Sequence, residues 1–291
     1  MVNVQEIKSD KNQTIKILTY NLANCVDGSN GIKNQMILKQ KKIKLATKRV
    51  VENINGQLKQ IEGFNPDVVL LQEISKLSFV NCFKNPYKWY KRRLSEYFGD
   101  YYASYNILNL VNHGKSTFSK FSSVVVKVKA PFKAKGFLNN YFCGNKGFLI
   151  NRIKISDHDK ELVIFNIHLI AFKKNYAVRL KQMEYVLALA SIEVDKGNYV
   201  IIGGDWNINL ASDGVISQQP KNLIEKTIEW CFAIPEQRTL KSFKQDQGNN
   251  GGKIIYDGFL CSTNISVLKV ISREDFRFSD HAPVLLEVKL G

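Results

Sequence analysis

The chain has 291 residues, of which 42 are Lys or Arg and 26 are Asp or Glu, so its formal net charge is +16. Its hydrophobic fraction of 44% and charged fraction of 23% are close to the average for globular proteins, which excludes a disordered tail, a collagen-like repeat and a disulfide miniprotein. Apolar runs such as Val68–Leu71 are far shorter than the roughly 20 residues that cross a bilayer. We therefore predict no transmembrane segment.

The positive charge favours polyanionic partners, namely nucleic acids, anionic lipid headgroups or phosphorylated small molecules. An equally supported alternative is compositional drift toward Lys, Asn and Ile. The five cysteines are odd in number and widely spaced, with no C-x-x-C pair, so we expect reduced thiols rather than a zinc ribbon or a disulfide framework. The start of the sequence has no basic and apolar leader, and we expect a cytoplasmic monomer.

The predicted elements alternate between strands and helices early in the chain and then follow one another as strands. Ile15–Tyr20 alternates like a strand, whereas apolar residues recur every three or four positions over Ile43–Ile61 and Met183–Val194, which predicts two helices. Further strands are predicted at Val68–Leu71, Val124–Val128, Gly147–Ile155, Leu162–His168, Tyr199–Ile202, Tyr256–Ser262 and Val284–Lys289. This order predicts mixed sheets with helices packed outside them.

No repeat and no linker rich in Pro, Gly or Ser divides the chain. The first dozen residues are polar, with few apolar residues to pack. We therefore expect a flexible segment over residues 1–13 and a single domain over residues 14–291.

Polar side chains occur at the ends of the predicted strands, where turn formers are more usual. They are Asn21, Glu73, His168, Asp205, Asn207, Asp257, Asp280 and His281. Taken singly, each has an ordinary explanation, such as a turn cap or a hydrogen-bonded core histidine. Because ligands gather at strand ends in α/β sheets, their joint occurrence predicts one site.

The types of side chain in this set indicate its chemistry. The oxygen ligands of Glu73, Asn21 and Asp280 suit a hard cation such as Mg²⁺. Two imidazoles beside such an ion would carry protons near neutral pH.

Five segments, in the same order along the chain, resemble the endonuclease/exonuclease/phosphatase superfamily of metal-dependent phosphoesterases. They are Leu18–Asn21, Leu71–Glu73, Asn166–Leu169, Gly204–Asn207 and Ser279–His281, and Tyr256–Phe259 resembles the family's penultimate strand. Together the matching segments span essentially the whole chain. The sequence looks most similar to bacterial members of unassigned substrate.

This resemblance implies an α/β (α+β) fold, a four-layer sandwich in which two mixed β-sheets pack face to face with helices outside. It also implies phosphoester hydrolysis assisted by a divalent metal, Mg²⁺ or Mn²⁺. Glu73 matches the principal metal carboxylate, Asn21 its supporting amide, and Asp280 a second carboxylate on the metal side.

The resemblance also implies catalytic roles. Asp205 and Asn207 match the pair that positions or activates water and holds the phosphate, and His168 matches a second histidine found in part of the superfamily. His281 matches the catalytic imidazole, oriented by Asp257. The general base stays open between the His281–Asp257 pair and Asp205.

The substrate also stays open. The basic charge favours a nuclease that hydrolyses DNA or RNA by attack of water at phosphorus. The alternative is a phosphatase or phospholipase C acting on inositol phosphates, phosphoinositides or sphingomyelin, and a third possibility is a catalytically silent binding domain. His168 argues against abasic-site repair, because repair members of the superfamily generally lack this histidine.

Aromatic and basic residues interleave over Phe79–Tyr102. This pattern is typical of a nucleic-acid surface or of a membrane-interface patch. The interpretation we favour is a helix that buries one face, because Tyr90, Leu94, Tyr97 and Tyr101 follow helical spacing.

Overall fold

The computed structural model describes residues 6–8, 13–26, 43–78, 81–107, 111–132, 147–156, 159–211, 230–241 and 254–291. These residues contain three α-helices, α1 (Ile43–Phe64), α2 (Pro86–Arg93) and α3 (Tyr176–Asp195). They also contain twelve strands: β1 (Ile15–Asn21), β2 (Val68–Ser78), β3 (Phe98–Ile107), β4 (Val111–Ser119), β5 (Val124–Val128), β6 (Phe148–Lys154), β7 (Glu161–His168), β8 (Tyr199–Asp205), β9 (Cys231–Ala233), β10 (Asp257–Cys261), β11 (Ile265–Ser272) and β12 (Val284–Leu290).

The strands form two six-stranded mixed sheets. The first has the order β11-β12-β1-β2-β4-β3, and the second has the order β5-β6-β7-β8-β10-β9. Each sheet has one parallel pair near its centre, β1 with β2 and β7 with β8, and its other neighbours are antiparallel. The predicted mixed sheets are confirmed.

Side chains alternate between two environments along the central strands, because successive residues of a strand point to opposite faces of its sheet. In β1, Ile15 and Ile17 belong to the core between the two sheets, whereas Leu18 and Tyr20 pack on the other face toward α1 and α2. In the second sheet, Val163, Phe165, Val200 and Ile202 face α3. The fold is therefore the expected four-layer sandwich.

Each long helix packs on its sheet through a stripe at helical spacing. Val50, Ile54, Leu58 and Ile61 of α1 are buried against the first sheet, which confirms the helix predicted over Ile43–Ile61. Met183, Val186, Leu187 and Ala190 of α3 are buried against the second sheet. No helix in the described part of the chain is long and apolar enough to span a bilayer.

The single helix predicted through Tyr90 and Tyr101 is wrong, although both side chains are buried as that interpretation required. Asn85 caps α2 by accepting a hydrogen bond from the Lys88 amide, and the helix ends at Arg93. Tyr101 lies on β3, opposite Ser116 of β4. The spacing misleads because residues 90 and 101 face the same core from two different elements.

Ile7 lies in the segment predicted to be flexible, yet it is buried and forms a parallel bridge with Ile155. Its carbonyl accepts a hydrogen bond from the Ser156 amide. Its side chain packs in the core between the two sheets.

Candidate active site

The site forms where the layer between the two sheets changes from apolar to polar. On β7 the side chains that face the first sheet are Leu162 and Ile164, followed by Asn166 and His168. On β1 the same face carries Ile15 and Ile17 and then ends in polar residues, the last being Asn21. Because the side-chain period of a strand is two, each strand delivers its last inward residue to the same end of the sandwich.

A pair of buried amides ties the sheets together just below this end. Gln72 Nε2 donates to Asn166 Oδ1 over 3.0 Å and to Thr19 Oγ1 over 3.1 Å. Asn166 Nδ2 donates in turn to the Ser116 carbonyl over 2.9 Å. All three of these hydrogen-bonding side chains are fully buried, and such pairing offsets the cost of burying polar groups.

The second sheet places three site residues side by side. His168 pairs in register with Asp205, and Asp205 pairs with Asp257 on the next strand. The imidazole of His281 joins them, so that Asp205, Asp257 and His281 bring ligand-type atoms within 4.8 Å of one another. Each of these three residues is buried.

His281 is held by Asp257 and by the loop that precedes β12. Its Nδ1 lies 2.8 Å from Asp257 Oδ2, and its Nε2 points toward Asp205 Oδ2 at 3.9 Å. Ser279 Oγ accepts from the His281 amide and donates to the Asn21 carbonyl over 2.8 Å. The loop is thus bound to the end of β1.

Glu73 reaches the site through a β-bulge. The register between β2 and β4 shifts between Gln72 and Ile74, and Glu73 has a left-handed φ of 52°. On the next strand, the backbone of β3 lies so close to Gly114 of β4 that a Cβ atom added to Gly114 would lie 1.9 Å from the Tyr102 carbonyl oxygen. A β-bulge changes the direction in which a side chain points. Here it turns the Glu73 carboxylate toward the polar end of the sandwich.

Side chains of the two sheets contact each other directly at this polar end of the sandwich. Asn21 Nδ2 of the first sheet donates to Asp205 Oδ2 of the second over 2.9 Å. His168 Nε2 lies 3.5 Å from Asp205 Oδ2 and 3.8 Å from Glu73 Oε1. Asn24, with a left-handed φ of 54°, donates to Glu73 Oε2 over 2.6 Å.

Asn207 supports the same carboxylate from its own loop. Its amide donates to Asp205 Oδ1 over 2.8 Å, and its side chain donates to the Leu169 carbonyl over 2.9 Å. Its φ of 50° lies in the left-handed region, which asparagine tolerates better than most residues. Asp205 therefore accepts hydrogen bonds on both of its oxygens.

Burial and neighbouring charge shift the pKa values of the His281–Asp257 pair. Burial raises the pKa of Asp257 to about 6, against the opposing effect of the His281 charge. Burial alone lowers the pKa of His281, but the carboxylates of Asp257 and Asp205 outweigh it and raise that pKa well above its ordinary value. The two carboxylates therefore favour the positively charged form of the His281 imidazole.

The oxygen atoms of Glu73, Asn21 and Asp280 fit a hard cation in chemical type. Asp280 Oδ1 is buried and has no hydrogen-bond partner among the described residues, and a bound cation would remove the cost of that state. The compact group of Asp205, Asp257 and His281 suits an ion less well, because the His281–Asp257 contact is already a hydrogen bond.

The structure brings seven of the eight predicted residues into one network of contacts, and the backbone of Asp280 directly precedes His281 in that network. Sequence reasoning missed Asn24, although an amide three residues after Asn21 was a visible signal. It also missed Thr239, whose hydroxyl accepts from the Asp257 amide over 3.0 Å. No local pattern marks that threonine.

A two-sheet sandwich of this kind is typical of the endonuclease/exonuclease/phosphatase class, whose members hydrolyse phosphoester bonds. The chain belongs to this family: the model described as "Endonuclease/Exonuclease/phosphatase family 2" matches residues 10–250. Asp257, Asp280 and His281 lie beyond the matched residues, and the fold places Asp257 and His281 beside Asp205.

Solved structures share the fold at low sequence identity. The endonuclease/exonuclease/phosphatase protein of Beutenbergia cavernae has a TM-score of 0.64 and 16% identity, covering 96% of this chain and 72% of that one. A family protein of Bacteroides thetaiotaomicron has a TM-score of 0.64 and 14% identity, covering 96% and 98%. TDP2 of D. rerio, complexed with a single-strand DNA product, has a TM-score of 0.63 and 16% identity, covering 96% and 100%. The search of curated proteins gave no match.

Proposed function

We propose that this chain is a divalent-metal-dependent phosphodiesterase that hydrolyses nucleic acid by attack of water at phosphorus. The observation that carries the proposal is the convergence of Asp205, His168, His281 and Glu73 at one end of the sandwich. This group contains residues of both sheets, so its members come together only when the chain is folded.

Glu73, Asn21 and Asp280 would hold the metal. A divalent cation bound there would neutralise the phosphoryl oxygens and so lower the electrostatic barrier to attack by water. The remaining chemistry belongs to the chain itself.

A protonated His281 can donate from Nε2 to an oxygen on which negative charge develops in the transition state. Asp257 holds the other ring nitrogen at 2.8 Å and so fixes the orientation of the imidazole. The upward shift in the His281 pKa favours this donor role over the role of general base.

Asp205 is then the better placed base for an attacking water. Asn21 and the Asn207 amide hold its two oxygens in a fixed orientation. His168 lies beside it at 3.5 Å and can donate to the phosphate or to the leaving oxygen. Asn207 orients Asp205 and anchors the Leu169 carbonyl.

Nucleic acid is the proposed substrate for two reasons. The net charge of +16 attracts a polyanion, and a structural neighbour, TDP2 of D. rerio, was solved with a single-strand DNA product. Inositol phosphates and sphingomyelin are the competing substrates to be tested beside DNA and RNA.

The test is single-turnover hydrolysis by wild type and by His168→Ala, His281→Ala and Asp205→Asn, with Mg²⁺, with Mn²⁺ and with EDTA. We expect each substitution to slow the reaction by about 10²–10⁴-fold, the usual contribution of a general acid–base group, and EDTA to abolish it. The substrates are single-stranded DNA, plasmid, RNA, inositol phosphates and sphingomyelin vesicles.

A matched control is Asp275→Asn, which changes an acid that pairs with Arg277 rather than with the site. Its rate should stay within a few-fold of wild type. Near-normal rates in all three site variants would end the mechanistic proposal. Turnover of inositol phosphates or sphingomyelin alone would reject the nuclease assignment while leaving the phosphoesterase class intact.

A further inference from the structure

An exposed aromatic ring stands four residues after His168. Phe172 is 64% exposed, and its backbone has a left-handed φ of 71°. A bulky side chain rarely adopts this conformation, and such strain persists only where the surrounding structure holds it. Phe83 shows the same combination, with 59% exposure and a φ of 56°. Phe172 differs from Phe83 in following the site residue His168 by only four positions.

Hydrogen bonds fix the loop that carries this ring. On the side nearest His168, Arg179 Nη1 donates to the Ile170 carbonyl over 3.0 Å, and Gln182 Oε1 accepts from the Ile170 amide over 2.8 Å. On the other side, the Asn175 amide donates to the Phe172 carbonyl over 3.0 Å. The ring is thus presented by an anchored backbone.

The same loop is bonded to the site. The Leu169 amide donates to the Asp205 carbonyl over 3.0 Å, and Asn207 Nδ2 donates to the Leu169 carbonyl. The four residues from His168 to Phe172 span at most roughly 14 Å. Because stacked nucleotides rise about 3.4 Å each, the ring lies within a few nucleotides of a phosphate held at His168.

A second aromatic ring and basic groups accompany Phe172. Tyr176 is 41% exposed, and the guanidinium carbon of Arg179 lies 5.6 Å from the centre of its ring. Lys174 is exposed between the two rings in the sequence. Arg179 is buried and donates to the Ile170 carbonyl, so the exposed cation between the two rings is Lys174. Exposed aromatic faces combined with cations bind single-stranded nucleic acid, because bases stack while the cations attract phosphates.

We propose that Phe172, with the exposed Tyr176 four residues further along the chain, forms a base-stacking subsite for single-stranded nucleic acid next to the scissile phosphate. This inference rests on the proposed function and narrows its substrate to strands with unpaired bases. An inositol ring has no π face and would gain little from a phenyl side chain, so the exposed ring favours the nucleic acid. Phe172 is a specificity residue here and takes no part in the bond-breaking step.

The experiment compares two single-stranded oligonucleotides of equal length, one with all its bases and one with abasic nucleotides flanking the cleaved bond. Fluorescence anisotropy gives Kd and steady-state hydrolysis gives KM for wild type, Phe172→Ala and Phe172→Trp. We expect Phe172→Ala to raise Kd and KM about 10-fold or more for the complete strand and to leave the abasic strand unchanged. Phe172→Trp should retain the preference for bases.

The control is Leu268→Ala, which removes another half-exposed apolar side chain from strand β11. It should behave as wild type with both strands. Equal effects of Phe172→Ala on both strands, or no binding of either strand by wild type, would overturn the subsite. So would an activity on phosphoinositide vesicles that depends on Phe172, because the ring would then serve a lipid surface.

The two proposals fail in different ways. If wild type binds the complete strand more tightly through Phe172 but cleaves neither strand, the subsite stands and the nuclease assignment fails. If both strands are cleaved with the same KM in every variant, the nuclease assignment stands and the subsite fails.

Discussion

Asp205 is the residue on which the geometry of the site depends most. Its carboxylate accepts from Asn21 of the opposite sheet and from the Asn207 amide, and both histidines approach Oδ2 within 3.9 Å. A charged acceptor with two fixed oxygens orients its partners more strongly than a neutral one would. The side chain therefore joins the two halves of the sandwich at the point where the chemistry is proposed to occur.

Asn24 is expected to tune Glu73 without contacting the substrate. In Asn24→Ala the 2.6 Å hydrogen bond to Glu73 Oε2 is lost. Since outer ligands of a metal site contribute about 10–100-fold in metal affinity or activity, we expect the Mg²⁺ concentration for half-maximal hydrolysis to rise by that factor. The measurement is a Mg²⁺ titration of activity.

Asn53→Ala is the matched control, because Asn53 donates to the neighbouring Cys25 carbonyl and leaves Glu73 untouched. Its Mg²⁺ dependence should equal that of wild type. An unchanged titration for Asn24→Ala would show that Glu73 needs no such support.

At the scale of elements, helix α1 clamps the two loops that carry site residues of the first sheet. Gln57 Nε2 donates to the Leu22 carbonyl over 3.0 Å and to the Phe278 carbonyl over 2.8 Å, and Tyr90 of α2 donates to Gln57 Oε1. Leu22 follows Asn21, and Phe278 precedes the Ser279–His281 segment. A buried side chain of the helix layer thus sets the distance between these loops.

For Gln57→Leu we expect two losses. The buried carbonyls left without a donor should lower the free energy of unfolding by about 2–4 kcal/mol, as measured by urea denaturation. Displacement of the loops by about 1 Å should also reduce kcat by roughly 10²-fold in protein that remains folded.

Gln60→Leu provides the comparison one turn further along α1. Gln60 accepts from the Tyr20 hydroxyl and donates to the Asp275 carbonyl, neither of which belongs to the site. This variant should lose stability while retaining most of its kcat. Equal loss of kcat in both variants would reduce Gln57 to a purely structural residue.

A pH-dependent contribution to stability lies where α3 ends. Burial raises the pKa of Glu193, but hydrogen bonds from Arg152, Lys196 and Asn198 outweigh it and lower that pKa to about 2. Since the folded value is below the ordinary one, the contribution is complete above about pH 4.5 and is lost as the pH falls toward 2. Glu193→Gln should therefore unfold more easily than wild type at pH 7.

The difference between Glu193→Gln and wild type should shrink between pH 5 and pH 3, as followed by urea denaturation at several pH values. A difference that stays constant over this range would mean that the carboxylate charge contributes nothing. The Lys196 side chain is 55% exposed, so moderate salt should also weaken its ion pair with Glu193.

For the whole molecule, the excess of 42 basic over 26 acidic residues should govern affinity for a polyanion. If about six phosphates of a single strand are neutralised, log Kd should rise with log salt with a slope of roughly 4. Anisotropy with a single-stranded oligonucleotide between 50 and 200 mM KCl measures that slope. A Kd that does not change with salt would mean that the excess of basic residues reflects composition alone and makes no contact with nucleic acid.

The sequence by itself determined eight of the twelve described strands, the two long helices and the polar residues at the strand ends, because periodicity and strand-end chemistry are local properties. It did not predict β3, β4, β9 or β11. His168, Asp205 and Asp257 could be identified because each lies at or close to an end of a predicted strand. The helix proposed through Tyr101 failed because identical spacing arises when a helix and a strand face the same core.

Only the tertiary structure decided which polar groups touch. The hydrogen bond from Asn21 to Asp205 joins residues 184 positions apart, and the hydrogen bond from Gln57 to the Phe278 carbonyl joins residues 221 positions apart. The bulge that turns Glu73 toward the site depends on the register of β2 against β4. Such contacts follow from how two sheets and a helix pack together, and packing depends on all their side chains at once.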